Sequence, residues 1–68
     1  MAKPPPKSEP PDESAPLWTV DDVARFCGVP RQTVYVWDSA GTGPPSHKLG
    51  RHRRWFPRDV IDWVRRQP

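Results

Sequence analysis

The chain has 68 residues, eleven of them proline and one cysteine, with eleven Lys and Arg against eight Asp and Glu for a formal net charge of +3 at pH 7. A core of this size contributes at most about 3–5 kcal/mol without a disulfide, metal or partner, which argues against a self-contained enzyme with a walled cleft. One cysteine excludes an internal disulfide or a zinc site built on cysteine pairs; no apolar run reaches the length of a membrane span or signal segment, so a cytoplasmic protein without membrane contact is expected.

Six prolines (Pro4, Pro5, Pro6, Pro10, Pro11 and Pro16) fall in the first sixteen residues, whose only apolar side chains are Met1, Ala2 and Ala15. Such a segment buries too little surface to offset the entropy of ordering it. Residues 1–16 are therefore expected as a disordered leader and residues 17–68 as the one folded domain. A polyproline docking role is disfavoured because no clean P-x-x-P with flanking specificity is present. The leader carries two lysines against Glu9, Asp12 and Glu13; the rest carries nine basic residues against five aspartates. Eight of those nine are arginines, a residue suited to phosphate and guanine.

Residues 17–27 (LWTVDDVARFC) predict the first helix. Thr19 with Asp22 three positions on resembles a capping box, and Val20, Val23, Ala24 and Cys27 share one helical face before Gly28 stops it. Residues 30–40 (PRQTVYVWDSA) predict the second helix, with Pro30 at its start and Gly41 beyond its end. Val34 and Trp37 face inward with Thr33 beside them, and Arg31, Gln32, Tyr35 and Val36 face outward. Two residues separate the helices, which therefore turn sharply in helix-turn-helix fashion.

Beyond the breakers Gly43, Pro44 and Pro45, residues 46–49 and 54–56 predict a short hairpin around a loop of residues 50–53. Residues 58–66 (RDVIDWVRR) predict the last helix, with Val60, Trp63 and Val64 inward and Arg65 and Arg66 complementing its end. The fold is thus mainly α with a small β-hairpin. Its expected core is Leu17, Val20, Val23, Ala24, Cys27, Val34, Trp37, Leu49, Val60, Trp63 and Val64, closed by Trp55 or Phe56. The four tryptophans are read as core rather than as stacking platforms for single-stranded nucleic acid.

Residues 46–58 hold Lys48, Arg51, Arg53, Arg54 and Arg58, two histidines and no acid. A charge run is ordinarily a solvated face. Here it adjoins a helix face bearing Arg31, Gln32, Thr33 and Tyr35, and duplex DNA calls for that combination: cations for phosphates, hydrogen-bonding side chains for base edges. Cys27, His47 and His52 match no zinc spacing, so neither metal nor cofactor is expected. Asp38 and His52 lack a nucleophile or phosphate-cradling loop.

The segments T-V-D-D-V-A, G-V-P-R-Q-T-V-Y-V-W, K-L-G-R-H-R-R-W and D-V-I-D-W-V, in that order, resemble the small MerR-like winged-helix proteins, which include excisionases and AlpA-like regulators. The resemblance implies a winged helix-turn-helix with a recognition helix over residues 30–40 and a wing around residues 50–54. It places Arg31, Gln32, Thr33 and Tyr35 at groove-facing positions and Arg51, His52 and Arg53 at the wing tip; Lys48 and Arg54 join the expected DNA contacts from the basic run alone, Arg54 as a strand residue that reaches either a phosphate or solvent. Pro30 departs from it, standing where a serine-like cap is usual. The function implied is an excisionase that bends attachment-site DNA and directs an integrase. With no dimerising helix in the chain, it is expected to be a monomer binding cooperatively on DNA. A small transcription regulator of the same fold is the near alternative, and a protein-interaction module with a basic hairpin the distant one.

Overall fold

The capping pair seen in sequence builds the first helix, α1 (Val20–Cys27). Thr19 Oγ1 accepts from the Asp22 N–H at 3.3 Å, and Asp22 Oδ2 accepts from the Thr19 N–H at 2.9 Å. These reciprocal bonds satisfy donors that a helix start leaves open. Arg25 pairs with Asp22 one turn back, and the Gly28 N–H closes α1 on the carbonyls of Ala24 and Arg25. Helix α2 (Arg31–Ala40) follows at once, with Pro30 as a cap that offers no side-chain acceptor and Gly41 at the end. The computed structural model describes residues 12–68.

The wing is an antiparallel hairpin of β1 (His47–Leu49) and β2 (His52–Arg54), pairing His47 with Arg54, Lys48 with Arg53 and Leu49 with His52. Its loop is two residues, Gly50 and Arg51, rather than the expected four. Gly50 has φ 63 and no other described residue type takes a positive φ, the II′ arrangement whose twist matches paired strands. His52 and Arg53 consequently lie in a strand and not in the loop. Helix α3 (Pro57–Arg65) begins on its proline, as the missing N–H of a first-turn proline allows.

Trp18, Val23, Ala24, Val34, Trp55 and Val60 form the core, with Ala15, Val20, Phe26, Cys27, Val29, Trp37 and Ile61 packed at its margin. The hairpin is seated by backbone pairing at its base: the Trp18 N–H donates to the Trp55 carbonyl at 2.7 Å, and the Trp55 N–H donates to the Trp18 carbonyl at 3.0 Å. Trp37 meets Trp63 at a centroid separation of 5.1 Å, tying α2 to α3. Between Trp55 and Phe56, Trp55 closes the core, because consecutive extended residues point to opposite sides; Phe56 is exposed.

Four residues of the expected core and one expected boundary differ. Leu17 and Trp63 are only half-buried and lie outside the core cluster, Trp63 packing instead on Trp37. Leu49 is exposed because the residues that meet this face of the hairpin, Phe56 and Asp59, reach His47 at its base, and Val64 is exposed because α3 turns Ile61 inward instead. Residues 12–16, expected in the leader, form a turn. Asp12 Oδ1 accepts from the Ser14 N–H and hydroxyl at 2.9 and 2.6 Å, and the Asp12 carbonyl accepts from the Ala15 N–H and the Trp18 indole N–H. An aspartate bonding the backbone two residues on is a turn former, and the indole anchors it. Residues 1–11 of the expected leader lie outside the described residues. Among the described residues, no helix is long and apolar enough to cross a membrane.

Candidate nucleic-acid interface

Helical spacing buries Val34 and leaves Arg31, Gln32, Tyr35 and Val36 exposed along one side of α2, with Thr33 half-buried at its edge. Arg31 Nε lies 3.0 Å from Asp21 Oδ1 in the first turn of α1, and both side chains are about three-fifths exposed. A pair so open contributes about 0–1 kcal/mol, so Asp21 does little to hold or sequester Arg31.

Strand alternation gives the hairpin two faces. Lys48 and Arg53, directly opposite each other, occupy one; His47, Leu49, His52 and Arg54 occupy the other. Directly opposed cations repel. An acid from α2 offsets this: Arg53 Nε donates to Asp38 Oδ2 at 3.2 Å, Arg53 Nη1 donates to Ser46 Oγ at 3.3 Å, and the Ser46 hydroxyl donates to Asp38 Oδ1 at 2.5 Å. The Lys48 and Arg53 face therefore turns toward α2. On the other face His47 meets the Phe56 ring edge-on at 5.1 Å, with Nε2 4.0 Å from Asp59 Oδ2.

Of the nine positions singled out in sequence, Arg31, Gln32 and Tyr35 share the open face of α2, with Thr33 flanking them. Lys48 and Arg53 line the adjoining side of the wing, and Arg51 stands exposed at its turn. His52 and Arg53 do not form a tip together with Arg51: they sit on opposite faces. Arg54 is half-buried with Nη1 bonded to the Arg53 carbonyl at 2.8 Å. Sequence reasoning weighed Asp38 only as a catalytic partner of His52 and passed over Ser46 and Asp21. The spacing of Arg31, Tyr35 and Asp38 marks one helical stripe and was a signal for Asp38; Asp21 and Ser46 carry none.

The shallow hollow between the end of α2 and the hairpin is lined by Trp37, Asp38, Gly43, Pro44, Ser46 and Arg53 among others. Gly43 belongs there for steric reasons, since a Cβ on it would stand 2.7 Å from the Trp37 Cβ. Among the described residues no cluster of three His, Cys, Asp or Glu could hold a metal ion. The Cys27 thiol is pushed above its ordinary pKa by burial.

Two helices joined by a tight turn, the second with an open polar face, and a cationic two-stranded wing beside it define a winged helix-turn-helix DNA-binding protein. The chain belongs to the helix-turn-helix domain family, whose model matches residues 19–68. A search of curated proteins returned no match. Domains of this family bind DNA sequence-specifically and are typically non-enzymatic.

Proposed function

We propose that the protein is an excisionase-type architectural factor: it binds repeated sites beside an attachment sequence, bends the DNA and directs an integrase toward excision. The observation that carries the DNA-binding part is the fixed adjacency of two unlike surfaces, the open face of α2 and the cationic side of the wing. An α-helix fits the major groove, and a wing alongside it reaches the neighbouring minor groove or backbone. In this reading Arg31 and Gln32 meet base edges, with Thr33 and Tyr35 at the groove rim. Lys48, Arg51 and Arg53 meet phosphates, His52 and Arg54 flank them, and copies bind side by side as monomers.

An architectural role differs from simple occupancy in requiring a bend. Neutralising phosphates from one side while occupying two grooves favours curvature, at an elastic cost of about 1–6 kcal/mol that the added contacts offset. The resemblance of four segments to excisionases points the same way. The test is selection of a preferred site from random duplexes, followed by circular-permutation electrophoresis on it and an excision assay with a candidate integrase. A sequence-preferring complex with a defined bend is expected. A straight complex that occludes a promoter would replace the excisionase reading with that of an AlpA-like regulator. No shift of any duplex at micromolar protein and low salt would overturn DNA binding altogether and favour a protein-interaction module.

A further inference from the structure

We infer that Asp38 is a positioning residue for DNA binding, holding Arg53 and the wing in register with α2, so that an acid on the DNA-facing side of the protein strengthens binding. The inference rests on the reading of the wing as a phosphate-contacting element.

Asp38 lies on the stripe of α2 that carries Arg31 and Tyr35, where a carboxylate opposes a polyanion. Its relative exposure is nevertheless only 20%, against 58% for Asp21, the other acid paired with a candidate contact arginine. Both Asp38 oxygens are engaged, Oδ1 by the Ser46 hydroxyl and Oδ2 by Arg53 Nε. The partners come from two further segments, the approach to β1 and β2 itself, so one carboxylate joins three parts of the chain.

An isolated two-stranded hairpin is marginal in water, and this one is exposed along all of β1. The Trp18–Trp55 pairing fixes its base but not its inclination. Arg53 lies two residues beyond that base, where a tether to α2 sets the angle between wing and helix. The manner of attachment also matters. Arg53 is held through Nε and Nη1, which leaves Nη2 to donate outward while the planar group is already ordered. A side chain ordered beforehand loses less entropy on binding. The opposing effect, repulsion between Asp38 and phosphates, is screened over about 10 Å at 0.1 M salt and is partly cancelled by Arg53 itself. Alignment therefore outweighs repulsion.

Two acids on one protein give a test by sign. Asp38→Asn and Asp21→Asn each remove one negative charge. Coulomb's law alone makes both bind DNA more tightly, whereas the positioning role makes Asp38→Asn weaker. Affinity for the selected duplex is measured by fluorescence anisotropy from 0.05 to 0.5 M salt. Asp38→Asn is expected to lose about three- to eightfold at 0.1 M and to flatten the salt slope by up to ~0.9, the share of one phosphate contact, while Asp21→Asn equals or exceeds wild type. Arg53→Lys, which keeps the charge but has no Nε to be held by, is expected to lose as much. Arg53→Ala in the Asp38→Asn background is expected to lose little more, a coupling that general loosening of the fold does not produce. Asp38→Asn binding as tightly as Asp21→Asn, Arg53→Lys binding as wild type, or additive losses would each overturn the positioning role. A wild-type chain that binds no duplex would overturn the DNA reading itself.

Discussion

Replacing Gly43 by alanine tests how tightly the end of α2 is joined to the approach to the wing. The added Cβ would lie 2.7 Å from the Trp37 Cβ, whereas non-bonded carbons rest at about 3.5–4.0 Å. The encounter is with a Cβ fixed to helix backbone, so no rotamer change relieves it, and either α2 or the following loop shifts by about 0.8 Å or more. Overpacking of this kind costs about 1–3 kcal/mol. Gly43 does not have a positive φ, so alanine also restricts the unfolded chain and returns about 0.4–1 kcal/mol. The clash wins, for a net loss of about 1–2 kcal/mol from the 3–5 kcal/mol a core of this size sustains. At about 4–8 °C per kcal/mol for so small a domain, the melting temperature falls by about 5–15 °C. Thermal unfolding followed by tryptophan fluorescence and far-ultraviolet circular dichroism reads this directly. Adding Trp37→Ala trims the indole and leaves the offending Cβ, so it does not rescue Gly43→Ala. A Gly43→Ala chain that melts at or above the wild-type temperature would refute the close approach and the loop path built on it.

Arg51→Ala is expected to weaken binding to all duplexes and to flatten the salt dependence by about 0.9, or about eightfold in affinity between 0.1 and 1 M salt; an unchanged slope removes the wing turn from the interface. Arg31→Ala or Gln32→Ala is expected to relax base preference by about 1–3 kcal/mol if the contact is bidentate, read by competition between the selected site and its single-base variants, and a uniform loss across variants makes the contact one to the backbone. The Cys27 thiol, pushed up by burial, is expected to alkylate more slowly at pH 8 than a cysteine in the urea-unfolded chain, since the thiolate is the reactive form. Equal rates would place the thiol in open solvent.

Helix α1 was legible because local and tertiary preferences agree there: the Thr19 and Asp22 cap, four apolar positions on one face and Gly28 all act within the ten residues from Thr19 to Gly28. The outward face of α2 was legible for the same reason of periodicity. The wing was only half legible. A Gly-X pair suits a two-residue loop, but cations on both sides blur where the strands begin. The loop length then decides which side chains share a face, since a one-residue shift reverses them all. That is why His52 and Arg53 were expected together and lie apart. On α3, Ile61 and Val64 are equally apolar, and the rotation that chooses between them is set by the surrounding packing. Trp18 is legible as a core tryptophan, but its pairing with Trp55 is made by backbone bonds, which leave no pattern in sequence. Asp38 and Ser46 become neighbours only after the hairpin docks.

The Trp18–Trp55 pairing also bears on how the protein acquires its shape. It joins residues 37 positions apart in the sequence, and α1, α2 and the hairpin all lie inside the loop it closes. Contacts this distant form slowly compared with the helices they enclose. The two helices therefore have turns to make long before the wing has a seat. A chain emerging during synthesis carries its recognition surface unfinished until Trp55 arrives, and a chain trimmed past Trp18 loses the strand partner that seats the wing.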